Sequence, residues 1–320
     1  MKKLNNILRC PATGVKLYKK YDCWSSQDKK QNYPILNSIP RFVSTSNYAV
    51  NFGMQWNLFS KTQLDSHSGH PISANRFWKS TGWSPKEMRD KWVLDVGCGS
   101  GRFAEIALST GAHVVALDYS SAVDACWANL KHHSNLHVVQ GDIYALPFVP
   151  GSFDFVYSLG MLQHTPDVAR AFAALPPMLA PNGQICVDCY PKSLTKLINP
   201  KYYLRPFTRS MDKVLLLNMV KSCVSALMPI SRAAGCVPLI GKLLKRLVPI
   251  ANYEGLLPLT LAQVQEWAVL DTFDWLSPAY DNPQTASTLR KWFEHARLAD
   301  VVVFKKGSLV ARGKNTAIRF

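Results

Sequence analysis

Between Trp92 and Cys189, short apolar runs alternate with longer stretches of helical periodicity. Trp92–Val96, His113–Asp118, Leu136–Gln140 and Phe153–Ser158 read as strands, as does 184–189. Helical patterns fill the gaps at Arg102–Ser109, 121–131 and 167–179. Asp167 stands near the start of the last one, where a carboxylate suits the helix dipole. Pro181-Asn182-Gly183 marks a turn. This βαβα rhythm predicts a parallel sheet with helices on both faces. It stops at Tyr190 and resumes near Thr285 with a helix over 286–298. Two strands follow, 301–305 and 308–312, joined around Gly307. The intervening stretch, about 95 residues, is far longer than an ordinary loop and must have structure of its own. Residues 1–45 differ in composition and read as a separate small unit. The expected organisation is that unit, a core made of 46–190 and 285–320, and an insertion over 191–284.

Composition narrows the class. The 320 residues are 48% apolar and 18% charged, which excludes disorder as the main state. No window of 18 uncharged apolar residues occurs, so no simple membrane-spanning helix is expected. Residues 1–9 lack an apolar secretory core, and a cytoplasmic location is expected. Eight cysteines do not make a disulfide scaffold, and Cys98, Cys126, Cys186 and Cys189 sit in apolar runs as reduced core residues. The net charge of +16 is uneven: +9 over residues 1–90, −4 over 91–190 and +11 over 191–320. A uniform polyanion-binding coat is thereby set aside.

The chemistry concentrates in Val93-Leu94-Asp95-Val96-Gly97-Cys98-Gly99-Ser100-Gly101-Arg102. A strand ends in an acid, three glycines alternate, and a helix begins. Such glycines permit positive φ and let a ligand approach the backbone, and the helix start offers unpaired N–H groups. The dinucleotide pattern G-x-G-x-x-G fails, because Arg102 holds its sixth position. An acid directly before the loop would repel a pyrophosphate and suits a ligand that carries positive charge.

This run resembles motif I of the class I S-adenosylmethionine-dependent methyltransferases. Later landmarks resemble the same family, in order: Val114-Val115-Ala116-Leu117-Asp118, Gly141-Asp142-Ile143, Phe153-Asp154-Phe155-Val156-Tyr157-Ser158 with Leu162-Gln163-His164, and Leu179-Ala180-Pro181-Asn182-Gly183-Gln184. Taken singly, Asp95, Asp118 and Asp142 are ordinary cap or turn residues; their order and spacing make the resemblance specific. It covers roughly 90–190 and 285–320. It implies an α/β, Rossmann-like, seven-stranded sheet with a small N-terminal ribbon remnant and a helical insertion after strand five. It also implies S-adenosyl-L-methionine as cofactor. The implied cofactor contacts are Asp95, Gly97, Cys98, Gly99, Gly101, Arg102, Asp118, Tyr119, Asp142, Ile143 and Leu159. In that family Asp118 would take the ribose hydroxyls and Asp142 the adenine amino group.

The family's reaction is a direct displacement, so the enzyme's work is mostly positioning. A hydroxyl acceptor also needs a base. His164, after the fourth strand, is the candidate, with orientation of the loop before Asp167 as its plainer role. Asp188, near the end of the fifth strand, would orient that base or contact the acceptor; a one-residue strand shift would present Cys189 instead. Ser158-Leu159-Gly160-Met161 stands where nucleobase amino-methylases carry Asn/Asp-Pro-Pro-Tyr/Phe, which counts against that chemistry. No His/Asp/Glu cluster points to a metal.

The flanks bear on the partner. Leu8-Arg9-Cys10-Pro11, Cys23 and the Tyr33-to-Val43 segment resemble the zinc-ribbon-like unit before some bacterial methyltransferases. Thr13 breaks the first C-x-x-C pair, so a metal-free relic is expected. Asn51-Phe52-Gly53-Met54-Gln55-Trp56 and the helix-like stretch 74–81 resemble segments that, in related enzymes, cap the cofactor and shape the acceptor pocket; plain packing on the sheet is the other reading. Residues 191–253 hold 11 basic side chains and one acid among apolar clusters, a pattern that fits contact with an anionic membrane surface or a helical lid whose apolar face packs on the sheet and whose lysines face water. RNA phosphate binding is weaker, since few aromatics interleave. Asp271 to Tyr280 brings two acids and three aromatics back toward the sheet, a set that suits a sugar pocket or plain packing. The leading expectation is O-methylation of a sugar, glycan or other small-molecule hydroxyl, in a surface-polysaccharide pathway and lipid-linked. The alternatives are an RNA or quinone-pathway methyltransferase, and a non-catalytic binding protein on the same scaffold. Oligomeric state stays open.

Overall fold

Residues 2–44, 47–192 and 200–316 are described by the computed structural model. The chain begins with helix α1 (Lys2–Ile7) and an antiparallel sheet in sequential order: β1 (Leu17–Lys20), β2 (Cys23–Ser26), β3 (Asn32–Leu36) and β4 (Ile39–Pro40). Alternating burial along β2 and β3 gives this sheet one inward face, where Leu17, Trp24 and Tyr33 join the main core. Cys10 lies 3.2 Å from the Tyr33 hydroxyl, and the Cys23 thiol donates to the Lys20 carbonyl at 3.2 Å. Among the described residues no three His, Cys, Asp or Glu side chains gather to hold a metal.

Four helices then precede the large sheet: α2 (Val50–Leu58), α3 (Asp65–Ser68), α4 (Ile72–Thr81) and α5 (Pro85–Met88). The core follows as β5 (Trp92–Val96), α6 (Arg102–Ser109), β6 (His113–Asp118), α7 (Ala122–Leu130), β7 (Leu136–Gln140), β8 (Phe153–Ser158), α8 (Val168–Ala173) and β9 (Leu179–Cys189). Strands β5, β6 and β7 are buried or nearly so along their lengths, as their predominantly apolar runs require. The helix expected over 167–179 is cut short. Asp167 caps α8 by accepting from the Arg170 N–H, but Pro176 and Pro177 lack N–H groups and divert the chain into a 3-10 turn. Pro181-Asn182-Gly183 is not a free turn but an irregular stretch inside β9, with Asn182 at φ +59° and the pairing to β8 shifted beside it.

The insertion holds α9 (Lys201–Thr208), α10 (Lys213–Gly235), α11 (Gly241–Leu247) and α12 (Leu261–Leu276). Helix α13 (Ala286–His295) and the hairpin β10 (Ala299–Lys306) and β11 (Ser308–Lys314) complete the core. The large sheet runs β10-β11-β9-β8-β5-β6-β7, parallel from β9 to β7 and antiparallel at β10 and β11. It is the seven-stranded Rossmann-like sheet that the sequence resemblance implies. One apolar cluster lies on each face, and a third joins α10 and α12 to Phe59 and Trp56.

Among the described residues one helix, α10 at Lys213–Gly235, is long and apolar enough to cross a membrane by length and composition alone; Lys221 interrupts its apolar run, and 33% of its 18-residue apolar window is buried within the fold.

Candidate active site

Strand order reverses between β8 and β6 around β5, so the loops after these strands part and leave a crevice at their carboxyl ends. A cavity of about 720 Å³ opens there. Its floor is Gly97, Cys98, Gly99, Asp118, Tyr119 and Ile143, with Leu159 and His164 on one side. Helix α2 forms the roof with Phe52, Gln55 and Trp56.

The glycine loop is pinned from below. The Leu117 carbonyl accepts from the N–H groups of Gly97 and Cys98 at 2.7 and 3.1 Å. The Asp118 carboxylate accepts from the Gly99 N–H at 3.0 Å and from Ser120 N–H and hydroxyl at 2.8 and 2.7 Å. Gly97 has φ +83°, and a Cβ there would stand 2.5 Å from the Met161 side chain, which walls the same cavity. The loop is thus shaped so that a ligand, not a side chain, can occupy the space above it.

Four expected contacts sit off the cavity wall. Gly101 turns the chain into α6 at φ +94°, and a Cβ there would strike Leu130 at 2.6 Å; its glycine serves helix packing. Asp142 caps the turn over Ile143–Ala145 by accepting from the Tyr144 N–H at 2.9 Å, while Gly141 and Ile143 line the cavity. Asp95 lies behind the loop, 2% exposed, with Oδ2 lacking a hydrogen-bond partner. Burial pushes its carboxyl up to about 8. Asp188 does not orient His164. It is 1% exposed and accepts from Arg76 and Ser308 at 2.8 Å each and from the Gly160 N–H. It therefore fixes the loop after β8 from behind. Arg102 reaches the cavity, but its guanidinium is held by Ser73 (2.9 Å) and Gln63 (2.7 Å). Burial, and then the neighbouring Arg76 charge, lower its pKa to about 9.

His164 is 6% exposed and lines the cavity. Its Nδ1 is 3.0 Å from the Tyr280 carbonyl, an obligate acceptor, so Nδ1 carries the proton and Nε2 is the basic nitrogen. Phe52 and Tyr190 hold the ring at centroid distances of 5.1 and 5.6 Å. Opposite stand residues the sequence did not single out as site residues. Helix α12 presents Asp271 and Asp274, three apart and so on one face. The Tyr253 hydroxyl donates to Asp271, as does Gln63 at 3.2 Å, and burial pushes Asp271 up to about 6. Asp274 accepts from Gln55 at 3.2 Å and Tyr190 at 3.4 Å. In sequence this pair stands out only with the three aromatics of 271–280, as a set for a sugar pocket or for plain packing.

These features fit the expected group: a crevice at the switch point, an acid after β6, glycines whose Cβ atoms would fill the cradle, and a buried carboxylate without a partner behind it. A sequence model of the methyltransferase domain family matches residues 94–187, which run from β5 into β9. The chain carries a class I methyltransferase domain. The domain's cofactor is S-adenosylmethionine.

Relatives of the domain include the ubiquinone biosynthesis O-methyltransferase of Azotobacter vinelandii, 33% identical over 152 residues, covering 45% of this chain and 62% of that one. The demethylmenaquinone methyltransferase of Staphylococcus haemolyticus is 37% identical over 118 residues, covering 33% of this chain and 49% of that one. A sterol 24-C-methyltransferase of Gibberella zeae is 38% identical over 96 residues, covering 28% and 25%. The chain thus spans 62% or less of the length of these relatives.

Proposed function

We propose that the protein transfers a methyl group from S-adenosylmethionine to a hydroxyl on a ring-bearing small molecule, with His164 as proton acceptor. When bound, the cofactor supplies an electrophilic methyl group whose departure needs no acid. The protein's task is then to align the acceptor and take up its proton. The observation that carries this reading is the tautomer of His164: Tyr280 fixes Nδ1–H and leaves Nε2 basic on a residue of the cavity wall. Tyr48, Phe52, Trp56, Tyr190 and Trp275 offer flat apolar surfaces for a ring. The ubiquinone and menaquinone relatives support a phenol-like acceptor; none of the relatives named above supports a sugar. Asp271 and Asp274 would hold further hydroxyls of the acceptor.

Two variants test the proposal. His164→Asn should lower kcat by about 100-fold or more while calorimetry shows unchanged cofactor affinity. Equal turnover in wild type and His164→Asn would remove His164 from the chemistry. Asp118→Ala should weaken cofactor binding about tenfold or more, since its carboxylate both faces the cavity and holds the Gly99 N–H.

A further inference from the structure

Helix α10 carries two apolar stripes. Leu216, Leu217, Val220, Val224 and Met228 are buried, in a cluster shared with α12. A second set, Leu215, Met219, Cys223, Ala226 and Ile230, recurs every three or four residues and is exposed to solvent throughout. At 100° per residue its centre lies roughly 135° around the helix from the buried set, separate from the polar face of Asn218, Ser222, Ser225 and Arg232. The exposed apolar character continues into the following turn and α11 through Leu239, Ile240, Leu243 and Leu247, the first of them fully exposed. A helix needs one apolar stripe to pack on its own fold; a second, left open, is an interaction surface.

We infer that this face seats on an anionic phospholipid bilayer, in the boundary between headgroups and acyl chains. Charge selects the occupant. Residues 191–253 carry 11 basic side chains against one acid; Lys201 and Arg205 face Asp281 and Arg232 pairs with Glu254, whereas Arg209 and Lys221 are exposed, Lys221 on the polar side of α10 rather than on its open apolar stripe. A second copy would set these like charges against each other, whereas an anionic surface neutralises them. The docking is peripheral, because crossing the bilayer would strip the inner stripe from α12. The face also connects with the cavity. Helix α9 turns Lys201 and Tyr202 into the cavity wall, while Tyr203 and Phe207 on the same helix are 62% and 74% exposed. Resting on the methyl-transfer reading above, this gives an apolar acceptor dissolved in the bilayer a short route to the site.

Vesicle flotation of the full-length protein tests the surface directly. Vesicles of phosphatidylcholine with about 30% phosphatidylglycerol should carry the wild type up the gradient, and pure phosphatidylcholine about tenfold less. About 0.5 M salt should weaken the anionic binding. The exposed double variant Met219→Glu/Ile230→Glu should lose at least about tenfold in vesicle affinity, with cofactor affinity by calorimetry unchanged as proof of folding. Wild-type protein that stays in the aqueous fraction, or a double variant that floats as well as wild type, overturns the inference. So does a stable dimer in solution that the same double variant splits. Flotation requires no methyl transfer, so an inactive but floating protein would count against the proposed reaction alone.

Discussion

Asp95 concentrates the site's electrostatics in one side chain. Its burial costs the charged form, so the folded protein holds this carboxyl's proton up to about pH 8, while the unfolded chain releases it near the ordinary value of 3.8. The native state therefore binds more protons than the unfolded state between these limits. Its stability from this group is complete below about pH 4 and is lost as pH rises toward 8. Asp95→Asn, neutral at every pH, should remove that slope and be the more stable form, relative to wild type, at pH 8 than at pH 5; the gain is of the order of a few kcal/mol by denaturant titration. Parallel pH profiles for the two proteins would show that Asp95 is already ionised. The same residue gives a second readout. A cationic ligand draws the proton off, so cofactor binding near pH 7 should release protons in the wild type, measured by calorimetry in buffers of different ionisation enthalpy. In Asp95→Asn that release should vanish.

At the scale of elements, the chain shows why some structure is legible in sequence and some is not. Strands β5 to β8 declare themselves because both faces are largely buried and apolar residues dominate each run. The glycine loop and Asp118 are legible because local geometry demands those residue types at those positions. The break in the helix after Ala173 was written in Pro176-Pro177, where local propensity overrides the apolar period. The acidic wall was legible only in part: the acids and aromatics of 271–280 stand out in sequence as a set for a pocket or for packing, but their partners Gln63 and Gln55 lie 208 and 219 residues away. The docking of the N-terminal sheet is equally remote. Arg41, 8% exposed, donates to Gln140 at 2.9 Å and Asp124 at 2.6 Å, tying β4 to the edge of the large sheet at β7. Arg41→Ala should cost about 2–3 kcal/mol, since it leaves buried acceptors unmet. Asp124→Asn should cost less than 1 kcal/mol, because that carboxylate is a third exposed and screened by water. Equal losses in the two variants would place the tie in the ion pair itself rather than in the buried amide.

The whole molecule joins a nearly self-sufficient sheet to an insertion that closes its cavity, and the join is narrow. Pro191 bridges Gln284, the Lys192 N–H donates to the Gln284 carbonyl at 2.7 Å, and the Gln284 N–H donates to the Tyr190 carbonyl at 2.9 Å. The two ends of the insertion thus meet beside β9, and a short Gly-Ser loop can replace residues 193–282 without moving a strand. The glycine loop, Asp118, Tyr119, Ile143 and Leu159 all lie outside the excised stretch, so cofactor affinity should hold within about tenfold of wild type. Methyl transfer should fall below detection, because the excision removes Asp271, Asp274 and Tyr253 and the Tyr280 carbonyl that fixes the His164 tautomer. The shortened protein should also melt lower, as Phe59 and Trp56 lose the apolar cluster they share with α10 and α12. Calorimetry and thermal melts separate these effects. A shortened chain with native sheet content by circular dichroism and no cofactor binding would move the insertion from the acceptor side of the cavity to the cofactor side. The charge pattern is compatible with the first arrangement: the middle third is slightly acidic, as suits a cationic cofactor, and the basic excess is shared between residues 1–90 and 191–320, the latter holding the insertion.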